Sequence, residues 1–316
     1  MTTDAKRLVS MTPFVHQAFF YGNDDDYLAG TVPFIEEGLA AGEPVLVAVP
    51  MPRLEMLRSH FARTASARLQ FSAMDQMGRN PAWIIPAWAD FVQTNAAPGR
   101  PARGIGEPIW LGRTDEELVE CGRHEALLNL AFANALGFTL LCPYDVSSLD
   151  ARVIEEAHRN HPHVSGPGVR HASGSYDGGI PAWLETPLPP VPMGVEAVTF
   201  DRGSLAWVRN RAVEAAAAGG VGPERLGDVA LAVSEAITNS VCHGGGFGEV
   251  SLWSDNRTFY CEICDRGRIS DPLAGRVKPS AKSPAGRGLW LMNQLCDLVQ
   301  IRATPGGQLI RLQFGI

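Results

Sequence analysis

Apolar positions fall into two regimes along this chain. Through the first half, short apolar runs rich in β-formers alternate with longer stretches whose apolar residues recur every three to four positions. Pro44-Val45-Leu46-Val47-Ala48-Val49-Pro50 is continuous, as in a strand covered on both faces. Tyr27 to Ala41 before it has helical spacing and stops at Gly42, and Arg53 to Ala62 after it is a second predicted helix. Leu69-Gln70-Phe71, Gly104 to Trp110 and Thr139 to Tyr144 are predicted strands; Pro81 to Gln93 and Leu118 to Leu136 are predicted helices. This alternation predicts an α/β domain with a mainly parallel sheet and helices on its faces.

The pattern lapses over residues 161–194, which are rich in Pro and Gly and hold no sustained period. They are predicted to be a linker or extended arm, with Trp183 and Leu184 resting on a domain surface. Beyond it the order changes. Val195 to Phe200 is strand-like, Asp201 or Ser204 can cap a helix to Ala218, and Pro223 suits the first turn of a helix reaching His243. Glu249 to Trp253 and Thr258 to Cys264 form a hairpin about Ser254–Arg257, and a Gly-, Pro- and Ser-rich loop runs from Gly267 to Gly286. A helix at Leu289 to Cys296 precedes two last strands, Val299 to Ala303 and Leu309 to Phe314. The prediction is an α+β sandwich with one antiparallel or mixed sheet, and three segments overall: 1–160, the linker 161–194, and 195–316.

Charge narrows the partners. Residues 1–195 carry 14 Lys and Arg against 22 Asp and Glu, and residues 196–316 carry 13 against 12. Neither half has the basic surplus that a phosphate backbone demands, so direct nucleic-acid binding is not expected. No apolar run reaches the roughly 18 residues of a spanning helix, and no signal peptide is apparent. Six dispersed cysteines make no disulfide framework, and the chain is read as a reduced, cytoplasmic protein.

The stretch SEAITNSVCHGGG, Ser234 to Gly246, carries the clearest chemistry. Residues four apart nearly align on a helix, so Glu235, Asn239 and His243 form one slanting polar stripe beside Val229, Val233, Ile237 and Val241, with Ala236 and Ser240 on the apolar side. A carboxylate beside a core is costly unless it has a task or a partner. Asp265-Arg266-Gly267 follows at a strand end, where an acid can accept a ligand hydrogen bond while the glycine lets the backbone approach. Gly286-Arg287-Gly288-Leu289 then opens a helix whose free N–H groups and positive dipole end suit phosphate.

In this order, residues 196–316 resemble the GHKL ATPase domain in the compact version found in bacterial anti-sigma-factor serine kinases. The resemblance implies ATP and Mg²⁺ as cofactors. It makes Asn239 the Mg²⁺ holder, Glu235 the general base toward the attacking hydroxyl, His243 the last member of the same box and Asp265, with Gly267, the acceptor for the adenine amino group. Gly286, Arg287, Gly288 and Leu289 become the glycine box closing over the phosphates. The chain departs from the family at Ile269, often glycine, and at Gln308 and Leu309, where Thr or Ser is frequent. The partners implied are a sigma factor and an anti-anti-sigma (STAS-type) protein bearing the phosphorylated Ser or Thr, with a homodimer as the assembly. An ATP-gated binding module without kinase activity and a sensor histidine kinase are the alternatives.

Residues 11–160 resemble the MEDS sensory domain through Phe14, His16 and Phe19-Phe20-Tyr21, through Asp26-Tyr27-Leu28 onward to Gly38-Leu39, and through Gly42-Glu43-Pro44. The resemblance implies a RecA-like fold. No G-x-x-x-x-G-K-[ST] phosphate loop is present, so a small ligand or partner at the strand ends is expected instead. His16, Tyr21, Glu107, Trp110 and Tyr144 are the sensory candidates.

Four other patterns resemble functional motifs but read as structural. Cys261-x-x-Cys264 lies in a strand, where residues three apart face opposite ways, which disfavours zinc. His158, His161, His163 and His171 are read as a solvated polar arm rather than a metal site. His124-Glu125 imitates a phosphoacceptor motif but sits within the α/β pattern. Asp24-Asp25-Asp26 is read as a cap and solvated turn.

Overall fold

The computed structural model describes residues 13–64, 66–96, 101–135, 137–166, 169–178, 186–280 and 286–316. Leu136, Trp183 and Leu184 of the predictions above lie outside them. The chain divides into two compact units, Met1–Gly78 with Ala87–Ile180, and Arg79–Pro86 with Pro181–Ile316.

In the first unit, the elements run β1 (Val15–Tyr21), α1 (Asp24–Ala40), β2 (Val45–Val49), α2 (Met51–His60), β3 (Leu69–Ala73), α3 (Met74–Met77), α4 (Ile84–Asn95), β4 (Ala102–Gly106), α5 (Asp115–Ala131), β5 (Phe138–Asp145), α6 (Ala151–Asn160), β6 (His163–Gly166) and β7 (Val169–Ala172). The first residues of α4 fall in the second unit. The strands make one sheet in the order β3-β2-β4-β5-β1-β6-β7, parallel except for β7, which runs antiparallel to β6. Every residue of β2 is buried, as a parallel sheet covered on both faces requires. Asn23 caps α1 through Asp26 N at 2.9 Å, and Thr114 with Glu117 forms a capping box on α5.

The predicted linker is corrected here. Residues 163–166 and 169–172 are strands of this sheet, and His161, expected on a solvated arm, is fully buried. Strands of four residues with a Gly between them show no period long enough to read.

The second unit runs β8 (Ala197–Asp201), α7 (Leu205–Gly219), α8 (Leu226–His243), β9 (Phe247–Ser254), β10 (Thr258–Asp265), α9 (Arg287–Leu295), β11 (Leu298–Thr304) and β12 (Gly307–Gly315). Pro223–Arg225 is a 3₁₀ turn ahead of α8. The sheet is antiparallel throughout, ordered β11-β12-β10-β9-β8. Strand alternation sends Phe259, Cys261 and Ile263 of β10 and Ile310, Leu312 and Phe314 of β12 into one core. There they meet Val208, Ala212 and Ala216 of α7 and Val229, Val233, Ala236 and Ile237 of α8. Cys264 therefore faces away from Cys261, as the strand period requires. On the opposite face Arg311 Nε donates to Glu262 Oε2 at 2.8 Å, a buried pair, and Arg311 Nη2 also donates to the Pro189 carbonyl at 2.7 Å. The segment 186–189 thus lies against that face, a position a charged pair tolerates only because its partners are in place.

Candidate functional site

The apolar side of α8 fixes the helix on the sheet, and its slanting stripe then has one place to go. Glu235 and Asn239 are half-buried, and His243 at the helix end is exposed. All three line a cavity of about 450 Å³. Arg268, Ile269, Gln308 and Ile310 line it from the sheet side, and Gly286 to Leu289 from the start of α9.

Two glycines make that wall. Gly286 has φ of 83°, a left-handed conformation that glycine alone adopts without strain, and it turns the chain into α9. Gly288 presses on the stripe: a Cβ there would stand 2.9 Å from Glu235 Oε2 and 3.0 Å from Asn239 Nδ2. The opening turn of α9, whose N–H groups have no intrahelical acceptors, therefore borders the carboxylate and amide of α8. Arg268 and Arg287 reach the same cavity, whereas Glu235 is the one carboxylate among the described residues that line it. Two guanidiniums and a helix N-terminus around a hydrogen-bonding amide can receive a polyanion, and the amide and carboxylate oxygens can face a hard cation between it and α8.

Asp265 and Gly267 are not in the lining. Asp265 is 8% exposed and held from several sides. Ser240 Oγ donates to its Oδ2 at 2.6 Å, Gly267 N donates to its Oδ1 at 2.6 Å, and Gln308 Nε2 stands 3.4 Å from Oδ2. Gln308, which lines the cavity, is thus the group through which the cavity meets this carboxylate. Its Oε1 is buried without a hydrogen-bond partner. Ser240, assigned by periodicity to the apolar side of α8, is thus a polar partner of Asp265 behind the cavity wall.

The first unit splits its candidates into separate places. At the ends of β1 and β4, Tyr21 OH donates to Glu107 Oε1 at 2.8 Å, and the Arg53 guanidinium lies 5.0 Å over the Tyr21 ring. Burial, only partly offset by the Tyr21 hydrogen bond and by Arg53, pushes the Glu107 carboxyl up to about 8. His16 and Tyr144 belong to a different buried group, with the Tyr144 and His161 rings edge to face at 5.6 Å. Trp110 is elsewhere, half-buried under the Arg113 guanidinium at 3.9 Å. His124, inside α5, is 1% exposed.

Comparison with known proteins follows the same division. Residues 15–162 match the MEDS family (MEthanogen/methylotroph, DcmR Sensory domain), and residues 198–314 match the histidine kinase-like ATPase domain family. Two similar curated proteins are the Anti-sigma F factors of Thermoanaerobacter sp. (strain X514) and Thermoanaerobacter pseudethanolicus (strain ATCC 33223 / 39E). Each is 29% identical over an alignment of 114 residues, and the match covers 32% of this chain and 80% of that protein. A similar solved structure is that of the RsbU and RsbW domains of Rv1364c from Mycobacterium tuberculosis, at 21% identity and a TM-score of 0.28. The match covers 39% of this chain and 32% of that one. Among the described residues no helix is long and apolar enough to cross a membrane.

Proposed function

We propose that this chain, a MEDS sensory domain followed by a histidine kinase-like ATPase domain, is an ATP-dependent anti-sigma regulator and a protein serine/threonine kinase. The observation that carries the reading is the contact of Gly288 with Glu235 and Asn239, which sets a phosphate-seeking helix start against an amide and a carboxylate. The likeness to anti-sigma F factors supports a sigma factor as partner; an antagonist of the anti-anti-sigma type is the phosphate acceptor in this reading.

The roles follow from the site. Asn239 Oδ1 would ligate Mg²⁺, which when bound neutralises phosphate charge. The α9 N-terminus with Arg268 and Arg287 holds the triphosphate. Gln308, backed by Asp265, meets the adenine edge, its unpartnered Oε1 suited to an amino-group hydrogen. Glu235 would accept the proton of the attacking Ser or Thr hydroxyl, whose oxygen would replace ADP on the γ-phosphorus. His243 stands exposed at the rim.

For the first unit, the strand order, with β1 between β5 and β6 and α1 directly after it, supports a RecA-like fold. The turn after β1 is unsuited to phosphate, since Asp24, Asp25 and Asp26 occupy the first turn of α1. A small ligand at Tyr21 and Glu107 fits better.

The test is transfer. Incubated with γ-labelled ATP and a STAS-type partner, the full chain is expected to place acid-stable phosphate on a partner Ser or Thr, and Glu235→Gln to lose it. ATP binding with no transfer would leave the non-kinase module. Acid-labile phosphate on the chain itself would point to histidine kinase chemistry, against which the burial of His124 stands.

A further inference from the structure

Four chemistry-bearing side chains from four parts of the first unit meet in its interior. His16 comes from β1, Cys142 from β5, Glu125 from α5, and His161 from the residue that ends α6. The sheet register explains half of this. His16 pairs with Leu140 on parallel strands, so Cys142, two residues on, projects from the same face. His16 Nε2 and His161 Nε2 lie 3.1 and 3.2 Å from one oxygen, Glu125 Oε2, and Cys142 Sγ lies 3.4 Å from His16 Nε2. All four atoms are within 4.8 Å of one another and all four residues are buried.

The outer nitrogens decide what the inner ones can be. Asn129 Nδ2 donates to the Asn160 carbonyl at 2.7 Å, which turns Asn129 Oδ1 toward His16 Nδ1 at 3.1 Å. His161 Nδ1 stands 2.8 Å from the Ala157 carbonyl. Both partners are acceptors, so both Nδ1 atoms carry the proton, and in its neutral form each imidazole turns the Nε2 lone pair inward. There the lone pairs face a carboxylate oxygen and a sulfur. One thiol hydrogen cannot serve them all, and His161 Nε2 and Glu125 Oε1 are indeed buried without a hydrogen-bond partner. Converging acceptors in a dry interior are costly unless a cation holds them together.

We propose that His16, Glu125, Cys142 and His161 form a tetrahedral site for a divalent metal ion, with Zn²⁺ as its occupant. Bonds of about 2.0 to 2.3 Å to zinc keep tetrahedral ligand atoms roughly 3.3 to 3.8 Å apart; the contacts of 3.1, 3.2 and 3.4 Å lie at or near that range, and the wider pairs, all within 4.8 Å, would draw in on binding. One carboxylate, one thiolate and two neutral imidazoles cancel the charge of the ion, the state a buried site tolerates. Asn129 and the Ala157 carbonyl supply the outer hydrogen bonds that orient metal-bound imidazoles. Binding releases the Cys142 proton to solvent. Four protein ligands leave no open position, so the ion is structural, tying the end of α6 to the centre of the sheet. This site is independent of the nucleotide cavity.

Metal analysis of the full chain is expected to find one zinc per chain, and the stripped chain to take up one Co²⁺ with the intense d–d bands of a tetrahedral ion and a thiolate-to-cobalt charge-transfer band. Cys142→Ser should lose the charge-transfer band, and His161→Ala should weaken retention at least tenfold. Should either variant fail to fold, the wild-type stoichiometry and cobalt spectrum still decide. A folded wild type that takes up neither ion above background overturns the site. So do histidine ¹⁵N shifts, unchanged by added Zn²⁺, that show Nε2 protonated; the cluster would then be a hydrogen-bonded ion pair.

Discussion

Gly288 sits against Glu235 so closely that a methyl group at position 288 would lie 2.9 Å from the carboxylate Oε2. Neither residue can be read alone: a side chain at 288 would meet the ends of the Glu235 and Asn239 side chains in the space they now occupy. Gly288→Ala must therefore shift the start of α9 or rotate Glu235. The atoms it meets are the far ends of flexible side chains at the cavity wall, so the fold accommodates the change and the displaced site groups bear the cost. Most of it should appear in binding, as a roughly tenfold or greater loss of Mg²⁺–ATP affinity with the fold retained. Calorimetry alongside thermal unfolding checks this; unchanged affinity would separate Gly288 from the nucleotide.

Glu235→Gln keeps the shape of that contact and removes the base. Nucleotide affinity should stay within a few-fold of the parent, while phosphate transfer falls by about 10²–10⁴. Single-turnover transfer under saturating ATP is the measurement, and a variant with full activity would remove Glu235 from the chemistry.

Ser240→Ala takes the 2.6 Å hydroxyl from Asp265 Oδ2 and leaves a buried carboxylate short of a donor. The expected cost is about 1–3 kcal/mol of stability, seen as a lower denaturant midpoint. Gln308→Ala should act differently, narrowing the preference for ATP over GTP with little change in unfolding. Parallel titrations of the two nucleotides check it.

In the first unit, Glu107 gives a pH signature. Burial raises its carboxyl to about 8, whereas an unfolded chain titrates near 4.5. The raised value means that the folded state holds the proton more tightly. This contribution is complete below about pH 4.5 and is lost as pH rises through about 8. Relative to Glu107→Gln, which does not titrate, the parent should lose stability between pH 5 and 8 by up to about 1.4 kcal/mol per unit. Unfolding midpoints of both proteins across that range are the check, and parallel curves would contradict it.

What the sequence showed and what it hid divide along the distance over which each feature is encoded. Glu235, Asn239 and His243 share a stripe because one helix repeats every 3.6 residues, so their convergence on a cavity needed only local spacing. Gly286 and Gly288 were legible for the same reason. Gln308 appeared only as a departure, because its place opposite Asp265 is set by the register of β10 on β12, 43 residues apart. Ser240 was hidden by periodicity itself: it lies on the buried side of α8, where a hydroxyl was not expected to find a carboxylate. The His16, Glu125, Cys142 and His161 group has no local motif at all, since parallel pairing of β1 with β5 and the docking of α5 and α6 assemble it across 109 residues and more. The β6–β7 hairpin was masked by its own shortness and its flanking Pro and Gly.

The central claim is that the stripe of α8 holds Mg²⁺–ATP, and calorimetric titration of Mg²⁺–ATP into the parent and Asn239→Ala tests it most directly. Micromolar binding by the parent, about −8 kcal/mol, should weaken at least tenfold in the variant, with unfolding in the absence of nucleotide unchanged. No heat and no thermal shift in the parent, or equal binding by both proteins, would contradict it.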